Sequence, residues 1–127
     1  MKTVLHLESD PDVLELSRIV LERQDFRYRS ASSTEFGLLQ IQEEIPDLII
    51  LSAGLNGTSA AEIARDVLAQ PGTESVPLLF FCQEEEYRAL RSRLSSLDHA
   101  QIRHLPQPTT YRGFLNEVKQ ALAEAGR

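Results

Sequence analysis

The chain has few of the residues that form covalent or metal cross-links. It contains one cysteine, Cys82, three histidines and no tryptophan among 127 residues. A single cysteine excludes an internal disulfide, and no group of cysteines and histidines has the spacing of metal ligands. No glycine-rich loop follows the first apolar run, which argues against a nucleotide or flavin cofactor. We therefore expect neither a metal nor a cofactor.

Basic residues and long apolar runs are also scarce. Asp and Glu outnumber Lys and Arg by 19 to 13, which gives a formal net charge of -6. This balance argues against nucleic acid as a partner, since phosphate binding needs a basic face, and against an anionic membrane surface. No run approaches the roughly 20 apolar residues of a membrane span, and the first residues do not have the form of a signal peptide. We therefore predict a cytoplasmic protein with one domain over residues 1–127.

Five short segments have the pattern of β-strands. Val4 to Leu7, Asp47 to Leu51 and Val76 to Phe81 are continuous apolar runs, typical of strands that are covered on both faces. Phe26 to Ser30 and Ile102 to Leu105 alternate apolar and polar residues, which is typical of strands at the edges of a sheet. Segments of helical period separate the strands. This alternation predicts an α/β fold with a doubly wound, five-stranded parallel sheet in the order 2-1-3-4-5.

Helix signals fill the gaps between the strands. Asp10 before Pro11 is typical of an N-cap followed by proline at the first helical position. Ser32 and Glu35 have the spacing of a capping box, and Ser59 begins the third helix in the same way. Apolar residues at helical spacing are expected to face the sheet: Val13, Leu14, Leu16, Val20, Leu21, Phe36, Leu39, Ile41, Ile63, Ala64, Val67, Leu68, Tyr87, Leu90, Leu94, Leu97, Tyr111, Phe114, Leu115, Val118 and Leu122.

Polar side chains collect where the predicted strands end. Ser52 closes the third strand, the run Glu8-Ser9-Asp10 follows the first, and Cys82 and Gln107 follow the fourth and fifth. In open parallel sheets, binding and chemistry gather at the carboxyl ends of the strands. These residues therefore have the layout of a binding or catalytic pocket at the carboxyl ends of the strands.

The framework resembles the receiver domain of bacterial two-component response regulators over essentially the whole chain. The resemblance implies a flavodoxin-like receiver fold and a role in signal transduction. It rests on the segments Val4–Leu14, Pro46–Ser52, Leu55–Gly57, Val76–Cys82 and Leu105–Pro108.

The resemblance assigns roles that the residues of this chain do not match. It places an acidic pair that holds magnesium at Glu8 and Ser9, the phosphoryl-accepting aspartate at Ser52, and a lysine at Gln107. A switch hydroxyl falls on Cys82, and an aromatic that moves with it falls on His104. Serine cannot form an acyl phosphate, and glutamine cannot neutralise a phosphoryl charge. With one of the two acidic positions and the acceptor position occupied by serine, we expect a degenerate pseudo-receiver without metal or catalytic residues.

Three functions remain open at this stage. The favoured prediction is a stand-alone signalling module that binds a protein independently of phosphorylation and is not an enzyme. The second is a residual phosphorelay, or a pH or redox sensor, that uses Ser52 or the pair Cys82 and His104. The third is a small α/β enzyme with Cys82 as nucleophile and His104 or His99 as base, although no nucleophile-elbow motif is present. By analogy with the family, the partner binds the fourth helix, fifth strand and fifth helix, and a homodimer is a further option.

Three other positions have simpler interpretations. His6 lies between leucines in the first strand and is expected to be a core histidine with a backbone partner. Cys82 is expected to be buried as a small hydrophobe. The run Glu84-Glu85-Glu86 is expected to form a solvated first helical turn, where the helix dipole favours acidic residues.

Overall fold

A computed structural model describes residues 1–52, 55, 58–94, 102–107 and 109–125 of the chain. Strands and helices alternate along it. The strands are β1 (Thr3–Leu7), β2 (Arg27–Ala31), β3 (Leu48–Ser52), β4 (Leu78–Cys82) and β5 (Ile102–Pro106). The helices are α1 (Pro11–Glu22), α2 (Thr34–Glu43), α3 (Ala60–Leu68), α4 (Glu84–Arg93) and α5 (Tyr111–Ala125). All strand pairs are parallel and the order is β2-β1-β3-β4-β5, which confirms the predicted fold.

The sheet separates two apolar layers. On one face, Leu7 of β1 and Phe80 of β4 pack in a cluster with residues of α2, α3 and α4. On the other face, Val4 of β1 and Ile50 of β3 pack with residues of α1 and α5. Every residue of β1 and β3 is buried, whereas β2 and β5 mix buried and accessible residues. The continuous and alternating apolar patterns therefore distinguished central strands from edge strands correctly.

The helix caps agree with the sequence at two of three positions. Asp10 accepts a hydrogen bond from the Asp12 N–H at 2.9 Å, and Ser59 accepts one from the Glu62 N–H at 3.2 Å. The prediction of Ser32 as the cap of α2 is wrong by one residue. Ser33 is the N-cap, and its hydroxyl accepts from the backbone N–H three residues later at 3.2 Å.

Several apolar residues that were expected to face the sheet are exposed instead. Leu16, Phe36, Leu39 and Tyr111 are between 45% and 61% exposed. In α1 the inward residues are Ser17 and Leu21, and Tyr111 is the first residue of α5. Leu16, Phe36 and Leu39 therefore lie on the outer flanks of their helices, and Tyr111 lies at the amino end of α5.

The close approach of α2 to the sheet explains why two of its large apolar residues, Phe36 and Leu39, point outward. A Cβ atom at Gly37 would lie 2.8 Å from Cδ2 of Leu7, so only glycine fits this contact without rearrangement. The contact directs Gly37 and Ile41 toward the sheet, and both are the buried residues of this helix. Phe36 and Leu39 are consequently displaced to the exposed flanks.

The helices are short. The longest one described, α5, has 15 residues, and no helix in the described segments combines the length and apolar character that a membrane crossing needs. Leu97, which was predicted to lie in the fourth helix, falls outside the described residues, and α4 ends at Arg93. Glu84 to Glu86 form the exposed first turn of α4 as predicted.

Charged side chains cover the outer edge at β2. Arg27 pairs with Glu44 at 2.9 Å. Arg29 lies 3.7 Å from Glu43 and 3.6 Å from Glu44, with its own side chain only 16% exposed. The two arginines therefore lie along the strand and are held by the end of α2.

Candidate functional site

The predicted site residues lie at the carboxyl ends of the parallel strands, which form one end of the sheet and are called the site edge below. The register places Ser52 beside Phe81 on β4, and Cys82 beside Pro106 on β5. Glu8 follows the last residue of β1, which is hydrogen-bonded to β3. The parallel sheet therefore brings the predicted positions to a common edge.

Ser52 and Glu8 form the buried part of this edge. The two residues are only 5% and 9% exposed. The Ser52 hydroxyl makes no hydrogen bond of ordinary geometry to a described residue, but it lies close enough to the Glu8 carboxyl to lower the pKa of that group. Burial raises the pKa of Glu8 more strongly, the charge of Asp10 raises it further, and the net shift is upward. Burial therefore disfavours the ionised form of the Glu8 carboxyl at this end of the sheet.

The residues here do not fit a magnesium ion. Asp10 accepts from the Asp12 N–H at 2.9 Å as the cap of α1, and Ser9 and Ser52 offer hydroxyls in place of carboxylates. In the segments that the structure describes, no group of three His, Cys, Asp or Glu residues is arranged to hold a metal. Magnesium requires near-octahedral oxygen ligands that usually include carboxylates. The Glu8 carboxyl, whose pKa is raised, and the two serine hydroxyls therefore match these requirements of magnesium poorly.

Gln107 occupies the position where the resemblance implies a lysine. Its backbone N–H donates to the Cys82 carbonyl at 3.1 Å, which ties the end of β5 to β4. Its side chain is exposed and neutral. It can hydrogen-bond to an anion but cannot balance the charge of one.

Curated relatives of the chain are transcriptional regulators. It is 24% identical over 125 residues to the phosphate regulon transcriptional regulatory protein PhoB of Pseudomonas aeruginosa, covering 98% of the chain and 53% of that protein. It is 32% identical over 79 residues to the transcriptional regulatory protein AfsQ1 of Streptomyces coelicolor, covering 62% of the chain and 34% of that protein. The match thus covers between a third and about half of each relative's length. No protein-family model matches the chain.

Solved structures of response regulators are similar to this chain in fold. A crystal structure from Chloroflexus aurantiacus assigned to the response regulators is 25% identical, with a TM-score of 0.81 over 96% of this chain and 98% of that one. The chemotaxis response regulator CheY4 of Vibrio cholerae is 16% identical, with a TM-score of 0.84 over 95% and 98% of the two chains.

The chain forms a domain with a receiver-like fold. Its flavodoxin-like fold is the one seen in CheY4, and this confirms the fold that the sequence predicted.

In this receiver-like domain, His104 binds the backbone of β4 rather than a thiol. Its Nε2 donates to the Cys82 carbonyl at 2.7 Å, and the register places His104 beside Phe80. The ring of Tyr87 from α4 stacks on the imidazole, with centroids 4.5 Å apart and planes within 7°. The sequence predicted that His104 and Cys82 are neighbours but not the Tyr87 stack.

The Cys82 thiol does not have the environment of a nucleophile. Burial, with a smaller effect of the Glu86 charge, raises its pKa to about 11, so the thiol is protonated at neutral pH. Its sulfur lies 3.8 Å from the Phe80 carbonyl oxygen, and the residue is 3% exposed. The geometry supports the buried-hydrophobe interpretation and not an activated thiolate. His99, the other proposed base, lies outside the described residues.

The receiver-like domain also has a buried polar contact that the sequence did not predict. His6 is fully buried, and its Nδ1 shares a hydrogen bond of 2.8 Å with the Tyr28 hydroxyl. The predicted backbone partner of His6 is therefore wrong. Ser17 lies close enough to the Tyr28 hydroxyl to lower the pKa of Tyr28, whereas Nε2 of His6 has no partner among the described residues. Burial lowers the pKa of His6 to about 3, so the imidazole is neutral at physiological pH.

The register of β1 and β2 is the signal that could have revealed this contact. Val4 pairs with Tyr28, and His6 lies two residues further along the same face of β1. A tyrosine on that face is within reach of the imidazole. The pairing of β1 with β2 residue by residue was not predictable from the sequence.

Proposed function

We propose that this receiver-like domain is a signalling module that binds a protein partner and is not switched by phosphorylation. The observation that carries the proposal is the buried Ser52 hydroxyl at the strand end where the resemblance implies an acceptor aspartate. A phosphate ester on serine lacks the lability of an acyl phosphate. A reversible transfer of the kind that the resemblance implies therefore has no acceptor at this position.

The charge around Ser52 supports the same proposal. Gln107 is neutral where a cation would balance a phosphoryl group, and the pKa of Glu8 is raised with no cationic side chain contributing to the shift. Bringing a dianion beside such a carboxyl, without a compensating cation, is unfavourable. The edge is therefore poorly suited to a phosphoryl group even if one were delivered.

The contacts of the two switch positions favour a fixed conformation. His104 is held between the Tyr87 ring and the Cys82 carbonyl, so outward rotation would break both a stack and a 2.7 Å hydrogen bond. Cys82 has no hydroxyl with which to follow a phosphoryl oxygen. Coupled movement of these two residues would need a hydroxyl donor at position 82 and a ring at position 104 that rotates freely. Neither is present.

We place the partner on the surface formed by α4, β5 and α5. Arg103 of β5 pairs with Glu124 and lies 3.8 Å from Glu117, both on α5, so strand and helix form a rigid charged unit. The exposed face of α4 carries acidic residues in its first turn and arginines in its last. A pattern of opposite charges of this kind suits a protein surface better than a nucleic acid. A homodimer through the same surface is the alternative.

Incubation with acetyl phosphate or beryllofluoride and magnesium is expected to leave the protein unchanged. The reason is the hydroxyl at Ser52 together with the neutral Gln107 and the poor magnesium ligands. Mass spectrometry under native conditions and two-dimensional NMR check this expectation. Addition of one phosphoryl group, or spectral changes centred on Ser52, would contradict the proposal.

Reversal of one charge on the proposed surface is expected to weaken partner binding. Arg88 on α4 pairs with Glu84 four residues earlier at 2.9 Å, and Arg88→Glu replaces that attraction with repulsion. Loss of about 1 kcal/mol would lower affinity about fivefold. The measurement is affinity capture from the source cell, followed by binding titration of the captured protein.

Arg18→Glu is the matched control, because Arg18 also makes an i,i+4 pair, with Glu22 at 2.7 Å, but lies on α1. Capture should not respond to acetyl phosphate with magnesium. Loss of the partner in Arg18→Glu, with retention in Arg88→Glu, would place the interface elsewhere.

A further inference from the structure

A cleft between α1 and α5 has the dimensions and lining of a small-molecule site. We propose that it binds a small, uncharged molecule with an apolar ring and one hydrogen-bonding group. Its volume is about 180 Å³. An apolar cavity of about 150 Å³ is large enough to hold benzene, so a single ring fits this space. The proposal goes beyond the proposed function and stands whether or not the chain accepts a phosphoryl group.

The walls of the cleft are apolar and come from three elements. Val13 and Val20 of α1, Phe81 of β4 and Phe114 of α5 line it. None of the described residues around it carries a charge near neutral pH. A charged ligand would lose hydration here without gaining an ionic partner, so the cleft selects neutral molecules.

Two other clefts lie near the amino ends of the strands, and both have charged residues in their walls. The lack of charge in the α1–α5 cleft is therefore not general to the surface. One of them is lined in part by Arg103 and Glu124. The other is lined in part by Lys2 and Asp47. The α1–α5 cleft is thus distinguished from both by chemistry as well as by position.

Polar groups at the α1–α5 cleft supply hydrogen bonds for the ligand. Ser17 lines it and is only 7% exposed, and the neutral side chain of Gln107 lines it as well. The Thr110 hydroxyl oxygen accepts from the Gly113 N–H at 3.0 Å, which leaves its proton available for donation. A few polar groups within an apolar lining are typical of sites that orient a small molecule.

The experiment is an NMR titration of the full chain with phenol, toluene and benzoate. Phenol has the ring and the single hydroxyl that the cleft suits, toluene lacks the hydroxyl, and benzoate adds a charge. We expect saturable shifts of the backbone amides of Ser17, Phe81 and Phe114, with a phenol dissociation constant of about 1 mM or below, in keeping with the efficiency of small ligands. Toluene should bind several-fold more weakly, and benzoate at least about tenfold more weakly.

Two variants locate the binding. Val13→Phe places a ring in the cleft and should weaken phenol binding about tenfold or more, whereas Leu39→Phe on the exposed flank of α2 is the matched control and should not. Gln107→Ala changes an exposed side chain, so it remains informative if Val13→Phe fails to fold. It should weaken phenol binding without changing toluene binding.

Several outcomes would overturn the proposal. They are shifts that do not saturate, shifts that map to another part of the molecule, equal binding of benzoate and phenol, and an unchanged phenol titration in Val13→Phe. Tighter binding of N-acetyl-phenylalanine amide than of phenol would also overturn it, because the cleft would then take a side chain of a protein partner.

Discussion

Between pH 6.5 and pH 4, the receiver-like domain is expected to lose about 3 kcal/mol of unfolding free energy through His6 alone. Burial lowers the pKa of this residue to about 3, against about 6.5 in an unfolded chain. Below pH 6.5 the unfolded state takes up a proton that the folded state does not. Stability is therefore fully present above pH 6.5 and falls as the pH decreases toward 3.

Urea unfolding of the wild type and His6→Gln at several pH values between 6.5 and 4 measures this loss. Glutamine retains a polar side chain beside Tyr28 but does not titrate, so the variant should lack most of the 3 kcal/mol decline. Glu8, whose pKa is raised, acts in the opposite direction, but it is present in both proteins and cancels in the comparison. If the free energy of unfolding changed with pH equally in the wild type and in His6→Gln, the result would show that the imidazole does not remain neutral in the core.

Ser52→Asp is expected to destabilise the domain by about 3 kcal/mol at pH 7 rather than to activate it. The new carboxylate would be buried beside Glu8, whose pKa is already raised by burial and by Asp10. Gln107 supplies no positive charge to compensate. We therefore expect an aspartate at position 52 to add an unpaired buried charge without adding activity.

The comparison with Ser52→Asn separates charge from size. Asparagine has the shape of aspartate without its charge and should cost about 1 kcal/mol or less. The deficit of Ser52→Asp should shrink as the pH is lowered, and Gln107→Lys in the same chain should recover part of it. Equal stability of the Asp and Asn variants at pH 7, or rapid labelling of Ser52→Asp by acetyl phosphate, would contradict this account.

The fold was predictable because it depends on patterns within short segments. β1 and β3 are buried on both faces, and runs that are mainly apolar, with His6 as the polar exception inside β1, are typical of such strands. The position of Glu8, Ser52 and Gln107 at the carboxyl ends of parallel strands follows from the same topology. No side-chain detail was needed for either step.

Helix rotation and side-chain direction were not predictable in the same way. The exposure of Phe36 and Leu39 depends on the contact between Gly37 and Leu7, which lie on different elements. Apolar spacing indicates that a helix has an inner face but not which of two neighbouring faces is favoured by close packing.

Neighbouring residues likewise did not reveal their bonding atoms. Sequence placed His104 near Cys82, but whether it faces a thiol or a carbonyl depends on rotamers and on the stack with Tyr87. The prediction of Cys82 as a nucleophile depended on this detail, because it required Sγ of Cys82 to lie within hydrogen-bonding reach of the His104 imidazole.

The arginine–glutamate pairs along β2 affect how the sheet meets other polypeptides. An edge strand has backbone groups that can bond to an extended segment from another chain, which is a common first step in aggregation. On β2, such a segment would have to run beside Arg27 and Arg29 and disturb their pairs with Glu43 and Glu44. The charged border therefore opposes strand addition and fibril growth, and it keeps this side of the molecule from associating indiscriminately at high concentration.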